Sequence, residues 1–294
     1  MSRSLPQPPQ RIVIKIGSGV LAEPSGLALD LPQMRWLVGE VAELRAAGHR
    51  CVLVSSGAVA AGLMELGLEE RPEALASVQA LAAIGQARLM QTYRTLFDEV
   101  GCVAAQLLLT HQDLDSRLRY RNAKNTLEEL LEKRGAIPIV NENDSVAVEE
   151  LKFGDNDELS AEVAILSDAD VLLLLTGAVG LTDSPDGNGE LIREVRDVDS
   201  VLHLAGPGHG RLSVGGMASK LLAVRTAVEA GIPTWIADGR APGIVAGVAG
   251  GGIVGTYFHA AAASRAPRSP RSESATDSTS TGGAPGRVAR VAEP

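Results

Sequence analysis

Lys15 and Lys220 are two of only five lysines among the chain's 27 basic residues, and both lie in glycine-rich segments between candidate strands and helices. An ammonium is a compact point charge on a flexible stem and suits phosphate oxygens that shift during a reaction, whereas a guanidinium prefers fixed planar forks. In a chain whose default cation is arginine, two lysines so placed point to phosphoryl transfer. Composition alone reads them equally well as surface lysines, so the neighbouring residues must decide.

Lys15 belongs to RIVIKIG (11–17) and precedes Gly17-Ser18-Gly19, where glycines let backbone N–H groups approach a phosphate. A lone G-x-G is equally a plain β-turn. The second segment, SVGGMASK (213–220), leads into a helix carrying Leu221, Leu222, Val224 and Val228. Gly215 and Gly216 leave amides at that helix's N-terminus, and Lys220, one turn inside, reaches the same anion. The alternative is a glycine-rich loop with a solvated lysine. Neither segment is a Walker A or a G-x-G-x-x-G motif, and the H-R-D and D-F-G pair of protein kinases is missing. Nucleotide chemistry here needs another fold.

The third segment is acidic and amidic: NENDS (141–145), then FGDNDELSAEVAIL (153–166). Asp155 with Glu158 fits a capping-box helix start. Asp144, Asn156 and Asp157 supply polar groups beyond what one cap requires, in loops after strands, where open parallel sheets bind ligands. A carboxylate between two lysines holds both in place, which makes Asp157 the candidate organiser. Ser55-Ser56-Gly57, after the second strand, adds hydroxyls at the same edge; alone it is an ordinary strand-to-helix cap.

The elements that must position these residues alternate. Strand-like runs at 11–17, 50–56, 102–110, 136–141, 170–176 and 233–238 are separated by helical stretches. One covers 33–47, where Met34, Leu37, Val38, Val41 and Leu44 form a stripe closed by Gly48; others cover about 73–100, a helix ending near Gly135, one from about 157, and 217–230. Continuous Val/Ile/Leu strands, each followed by a helix, predict a three-layer α/β/α sandwich with a mainly parallel central sheet. VAVEELKF (146–153) reads as a hairpin or flap, and IVGTYFH (253–259) as a closing edge strand. Residues 1–10 read as a flexible N-terminus, 11–259 as one domain, and 260–294, poor in large apolar residues, as a disordered tail.

A net charge of −9 with 3% aromatics argues against nucleic acid and for a small-molecule partner. Cys51 and Cys102 lie in apolar runs and read as buried thiols. With no signal-like or membrane-length apolar run, the expected setting is the cytoplasm.

Taken in order, KIGSGVL (15–21), VSSGAVAAG (54–62), ALAAIGQARL (80–89), VNENDSVA (140–147), FGDNDELSA (153–161) and GGMASK (215–220) resemble the glutamate 5-kinases of the amino acid kinase superfamily. The match runs from about 11 to 259, and the superfamily fold is the sandwich expected above. The resemblance implies ATP-dependent phosphorylation of the L-glutamate γ-carboxylate, the first step of proline synthesis. It gives Lys15 and Lys220 charge stabilisation of the transferring phosphoryl group and Asp157 the orientation of both. Ser56, Asp144 and Asn156 fall on glutamate-binding positions. ATP contacts are implied for Lys15, Thr176, Gly177, Val214, Gly215, Gly216, Met217, Ala218, Ser219 and Lys220. Mg²⁺ would be held by ATP phosphates and water, with no protein ligand. Proline as feedback inhibitor and a homo-oligomer are implied as well.

Three departures stand out. Gly177 replaces an aspartate, Val214 replaces a threonine, and the tail stands where many bacterial members carry a PUA domain. Two rival readings are another amino acid kinase, such as one acting on acetylglutamate, and a non-catalytic amino-acid sensor.

Overall fold

The computed structural model describes residues 10–146, 155–206, 216–249 and 255–261. The strands are β1 (Arg11–Ile16), β2 (Arg50–Ser55), β3 (Ala104–Leu109), β4 (Ile137–Glu142), β5 (Val171–Thr176), β6 (Glu194–Val195), β7 (Thr234–Asp238) and β8 (Thr256–Phe258). They form one sheet in the order β3-β4-β2-β1-β5-β7-β8-β6. Every pairing from β3 to β7 is parallel, and so is β6 with β8; β8 runs antiparallel to β7. The segment read as a closing edge strand therefore lies inside the sheet. The short β6, in a stretch without a strand-like run, takes the edge.

The helices are α1 (Ser18–Leu21), α2 (Leu31–Ala46), α3 (Ala58–Leu66), α4 (Leu75–Glu99), α5 (His111–Asp115), α6 (Arg117–Glu128), α7 (Asp155–Leu166), α8 (Met217–Glu229) and α9 (Ile244–Ala249). Side chains alternate across a strand, and β1 shows which helices cover which face. Ile12, Ile14 and Ile16 join a core with α2, α3, α4 and α9, whereas Val13 joins a second core with α6, α7 and α8. The result is three layers, as expected. Lys15 shares the parity of Val13 and so faces α7 and α8.

Two expected helices differ in outline. The stretch ending near Gly135 breaks at Ser116 into α5 and α6 and finishes in a π-helical turn, Glu129–Arg134. α3 was hidden in VSSGAVAAG, whose alanines and glycine carry no helical stripe. Gly57 takes φ +103°, a left-handed turn that releases the chain from β2 into α3. α3 and α4 then pack very closely: a Cβ on Gly85 would fall 1.8 Å from the Ala58 carbonyl, and one on Gly62 2.2 Å from that of Leu81.

The end of β1 remote from Lys15 is pinned. Arg11 donates to Glu128 (2.6 Å), to Glu132 (2.8 Å) and to the Ser167 carbonyl, and its backbone N–H donates to Asp170 (2.8 Å). Cys51 and Cys102 are buried free thiols, and burial pushes Cys51 up to about 12. Among the described residues no helix is long and apolar enough to cross a membrane. The flap read at 146–153 lies outside the described residues from 147 onward, and so do 1–9 and the tail from 262.

Candidate active site

Because β1, β2, β4, β5 and β7 are parallel, their C-terminal ends meet at one edge of the sheet. That edge carries Lys15, Ser55, Asn141, Glu142, Thr176 and Asp238. α7 and α8 begin over the same edge, so their first turns face the strand ends.

At its centre is Asp157, on the first turn of α7 and 1% exposed. Lys15 Nζ lies 2.5 Å from its Oδ1, and Lys220 Nζ lies 3.2 Å from its Oδ2. Ser219 donates its hydroxyl to the same Oδ2 at 2.8 Å. Burial opposes charge on the carboxyl, but the two ammoniums, with hydrogen bonds from Lys15 and Ser219, outweigh it and hold Asp157 below its ordinary value. Burial pulls Lys220 below the usual lysine range, with Lys15 acting the same way and Asp157 opposing. One buried anion thus holds two cations, leaving net positive charge for an incoming anion. Gly17 adjoins them: a Cβ there would lie 3.3 Å from the Leu175 carbonyl oxygen and in ordinary contact, 3.5 Å, with Lys15 Nζ.

Asn156, one residue earlier, turns to an amide cluster. Its Nδ2 donates to Asn141 Oδ1 (3.0 Å) and Ser56 Oγ (3.3 Å), and its Oδ1 accepts from the Glu142 N–H at 3.3 Å. That N–H is also 3.0 Å from Asn141 Oδ1, and Asn141 donates to Gln86 Oε1 at 2.7 Å. Ser56 itself is fixed through its N–H, which donates to the Ile16 carbonyl at 3.1 Å.

Lys15, Lys220 and Asp157 are therefore brought into one cluster, and Ser56 and Asn156 into an adjoining one. Asp144 stands half-buried in the turn after β4. Thr176 ends β5 opposite Asp238, and its carbonyl accepts from the Gly239 N–H at 2.9 Å. Gly177 follows, exposed. Gly216, Met217 and Ala218 open α8, where no side chain caps the helix among the described residues. Ser219, implied as an ATP contact, has its hydroxyl on Asp157 and on the Gly216 carbonyl (2.9 Å). Val214 and Gly215 lie outside the described residues.

Sequence reasoning missed Gln86, Asn141 and the pair His111–Glu162. Gln86 carried a signal, being a polar residue on the α4 stripe of Ala82, Leu89, Tyr93 and Leu96. Asn141 was seen only as part of NENDS. His111 Nδ1 lies 3.0 Å from Glu162 Oε2, a contact between residues far apart in sequence that no local pattern announces.

A mainly parallel sandwich with two lysines on one buried carboxylate at its strand ends defines a class. The chain belongs to the amino acid kinase family, whose model matches residues 10–238. Within it the chain falls among the glutamate 5-kinases. It is 50% identical to the glutamate 5-kinase of Thermus thermophilus over 85% of this chain and 68% of that one. Identity is 49% to those of Serratia proteamaculans and Photobacterium profundum, again over 85% of this chain and over 69% and 67% of theirs. A UMP kinase structure from Bacillus anthracis matches with TM-score 0.57 at 18% identity, over 85% of this chain and 96% of that one, which shows the fold.

Proposed function

We propose that this chain transfers the γ-phosphoryl group of ATP to the γ-carboxylate of L-glutamate, giving L-glutamyl 5-phosphate and ADP, the first step of proline biosynthesis. The observation that carries the reading is the division of labour on α7, where Asp157 gathers both lysines and Asn156 anchors the adjoining polar cluster. In this reading an anion site for phosphate adjoins hydrogen-bonding groups for an amino-acid substrate. Similarity to glutamate 5-kinases at about half identity supports the choice of substrate.

In this reading Ser56, Asn156 and Asp144 hold glutamate, with Asp144 facing the α-ammonium. Gly216, Met217 and Ala218 present the N-terminal amides of α8 to the ATP phosphates. Thr176 and Gly177 border the nucleotide, and the family positions of Val214 and Gly215 adjoin the phosphates. The γ-carboxylate oxygen forms the new O–P bond while the bridging oxygen leaves with its electron pair on ADP. The acceptor is already ionised, so no base is required, and catalysis reduces to alignment and charge neutralisation. Lys15 and Lys220 supply that neutralisation, and Asp157 sets their spacing. Mg²⁺ would be held by ATP phosphates and water, with no protein ligand, and would supply further charge neutralisation. Residues 11–259 form the catalytic unit. The reading includes a cytoplasmic setting, proline as feedback inhibitor and a homo-oligomer, as the resemblance implies.

The test is ADP release with L-glutamate, N-acetyl-L-glutamate, L-aspartate, carbamate and UMP, with hydroxylamine present to trap an acyl phosphate. Only L-glutamate should give strong turnover and a hydroxamate. An N-acetyl group removes the ammonium that Asp144 meets, and a site built for a polar partner rejects the analogue lacking it. Preferred use of N-acetylglutamate would make the chain an acetylglutamate-type kinase, and the absence of ADP release with any of these substrates would make it a sensor.

A further inference from the structure

We infer that Gln86 is a positioning residue that fixes the donor and acceptor order of the amide cluster, and so makes the Ser56 hydroxyl a donor toward the substrate carboxylate. The inference rests on the functional reading above and adds a residue to it.

The order starts from a group that cannot be reversed. The backbone N–H of Glu142 is an obligate donor, and it is 3.0 Å from Asn141 Oδ1 and 3.3 Å from Asn156 Oδ1. Both side-chain amides must therefore present oxygen to it. The Nδ2 of Asn141 is then directed away, where Gln86 Oε1 accepts from it at 2.7 Å. The Nδ2 of Asn156 carries two hydrogens, and its partners are Asn141 Oδ1 at 3.0 Å and Ser56 Oγ at 3.3 Å. With Ser56 Oγ accepting, its own hydrogen is the one left to donate. A carboxylate offers only acceptors, so this is the order that a glutamate site requires.

Gln86 completes the chain because it is the acceptor for the Asn141 nitrogen in the orientation that the Glu142 N–H and the Asn156 amide demand; without it that nitrogen loses its partner, and turning over would set it against both donors. The fold spends close packing to bring Gln86 there. Gly85 and Gly62 let α4 approach α3 at distances that exclude any Cβ, and Gln86 is the next residue. The Nε2 of Gln86 is buried without a protein partner among the described residues, so no competing bond turns its amide.

The test compares Gln86→Met, which keeps length and removes the acceptor, with Gln86→Glu, which keeps an acceptor and has no donor at neutral pH. Gln86→Met should raise the glutamate KM about tenfold or more, leave the ATP KM within about twofold and melt within a few degrees of the parent. Gln86→Glu should show the smaller rise. A glutamate KM within twofold of the parent in the Met variant, equal rises for ATP and glutamate, or a Glu variant worse than the Met variant would overturn the inference. A readout independent of turnover is the side-chain NH₂ resonances of Asn141 and Asn156 in the ligand-free chain. They should move in Gln86→Met and return toward the parent in Gln86→Glu, and unchanged resonances overturn the relay whatever the substrate. If the parent itself releases no ADP with glutamate, the functional reading fails, and the resonances alone decide the order of the amides.

Discussion

Asn156 and Asp157 are consecutive on the first turn of α7, yet one bonds to Asn141 and Ser56 while the other holds Lys15 and Lys220. Successive helical residues point about 100° apart, so one turn can serve two subsites without any loop between them. In the proposed reaction the spacing between acceptor and phosphoryl donor would then be set by a rigid element, which suits catalysis that is mainly alignment.

Replacing Lys15 or Lys220 by alanine should lower kcat by at least about a hundredfold, since loss of one preorganised electrostatic donor costs about 2.7–4 kcal/mol. Each variant keeps one ammonium on Asp157, so the fold should persist. Steady-state ADP release and circular dichroism check both statements. Near-parent kcat in either variant would remove that lysine from the reaction.

Asp157→Asn should act on stability as well as rate. It leaves two buried ammoniums without their anion, and breaking a buried pair in this way costs about 3–5 kcal/mol. Because the folded carboxyl titrates below its ordinary value of 3.8, its contribution is present above that pH and is lost as pH falls through the lower folded value. Urea unfolding at pH 7 should separate variant and parent clearly, and the gap should close in strong acid. An Asn variant as stable as the parent at pH 7 would mean that the charges are not coupled.

The mainly parallel sheet, covered on both faces, was legible because continuous apolar runs alternate with helical stretches, whereas the order of its strands was not. Lys15, Asp157 and Lys220 were legible because two of only five lysines stand in glycine-rich segments and a carboxylate at a helix start can hold both. The sequence could not show that Ser219 would spend its hydroxyl on Asp157, since that depends on how α8 docks against α7. Nor could it show that Gln86, about 55 residues before Asn141, would reach it, because this rests on two glycines interlocking α3 and α4. β6 was missed for a similar reason: two residues pair with β8 only after the chain has folded.

Gly177→Asp should be accommodated without strain and should tighten ATP binding. The position is exposed, an added Cβ meets no atom within 4 Å, and the residue follows the end of β5 at the edge assigned to nucleotide. Isothermal titration with a non-hydrolysable ATP analogue, together with the glutamate KM, decides it. Unchanged nucleotide affinity with altered glutamate KM would place this loop on the wrong side of the site.

The His111–Glu162 pair should make stability depend on pH. His111 opens α5 beside Thr110, whose side chain and Asp113 cap that helix, and its Nδ1 is 3.0 Å from Glu162 Oε2 on α7. The hydrogen bond to Glu162 raises the imidazole most, burial opposes it, and the charges of Glu162, Glu158 and Glu142 add to the rise, which reaches about 9. An unfolded histidine titrates near 6.5. A group bound more tightly to its proton in the folded state stabilises fully below the unfolded value and loses that contribution as pH rises through the folded one. Glu162→Gln removes the charge and keeps the shape. Over pH 6 to 10 the melting-temperature gap between parent and variant should therefore be largest at pH 6, shrink between about 6.5 and about 9, and vanish above. A gap that stays level from pH 6 to 10 would show that His111 is neutral in the folded chain and that Glu162 acts only by packing.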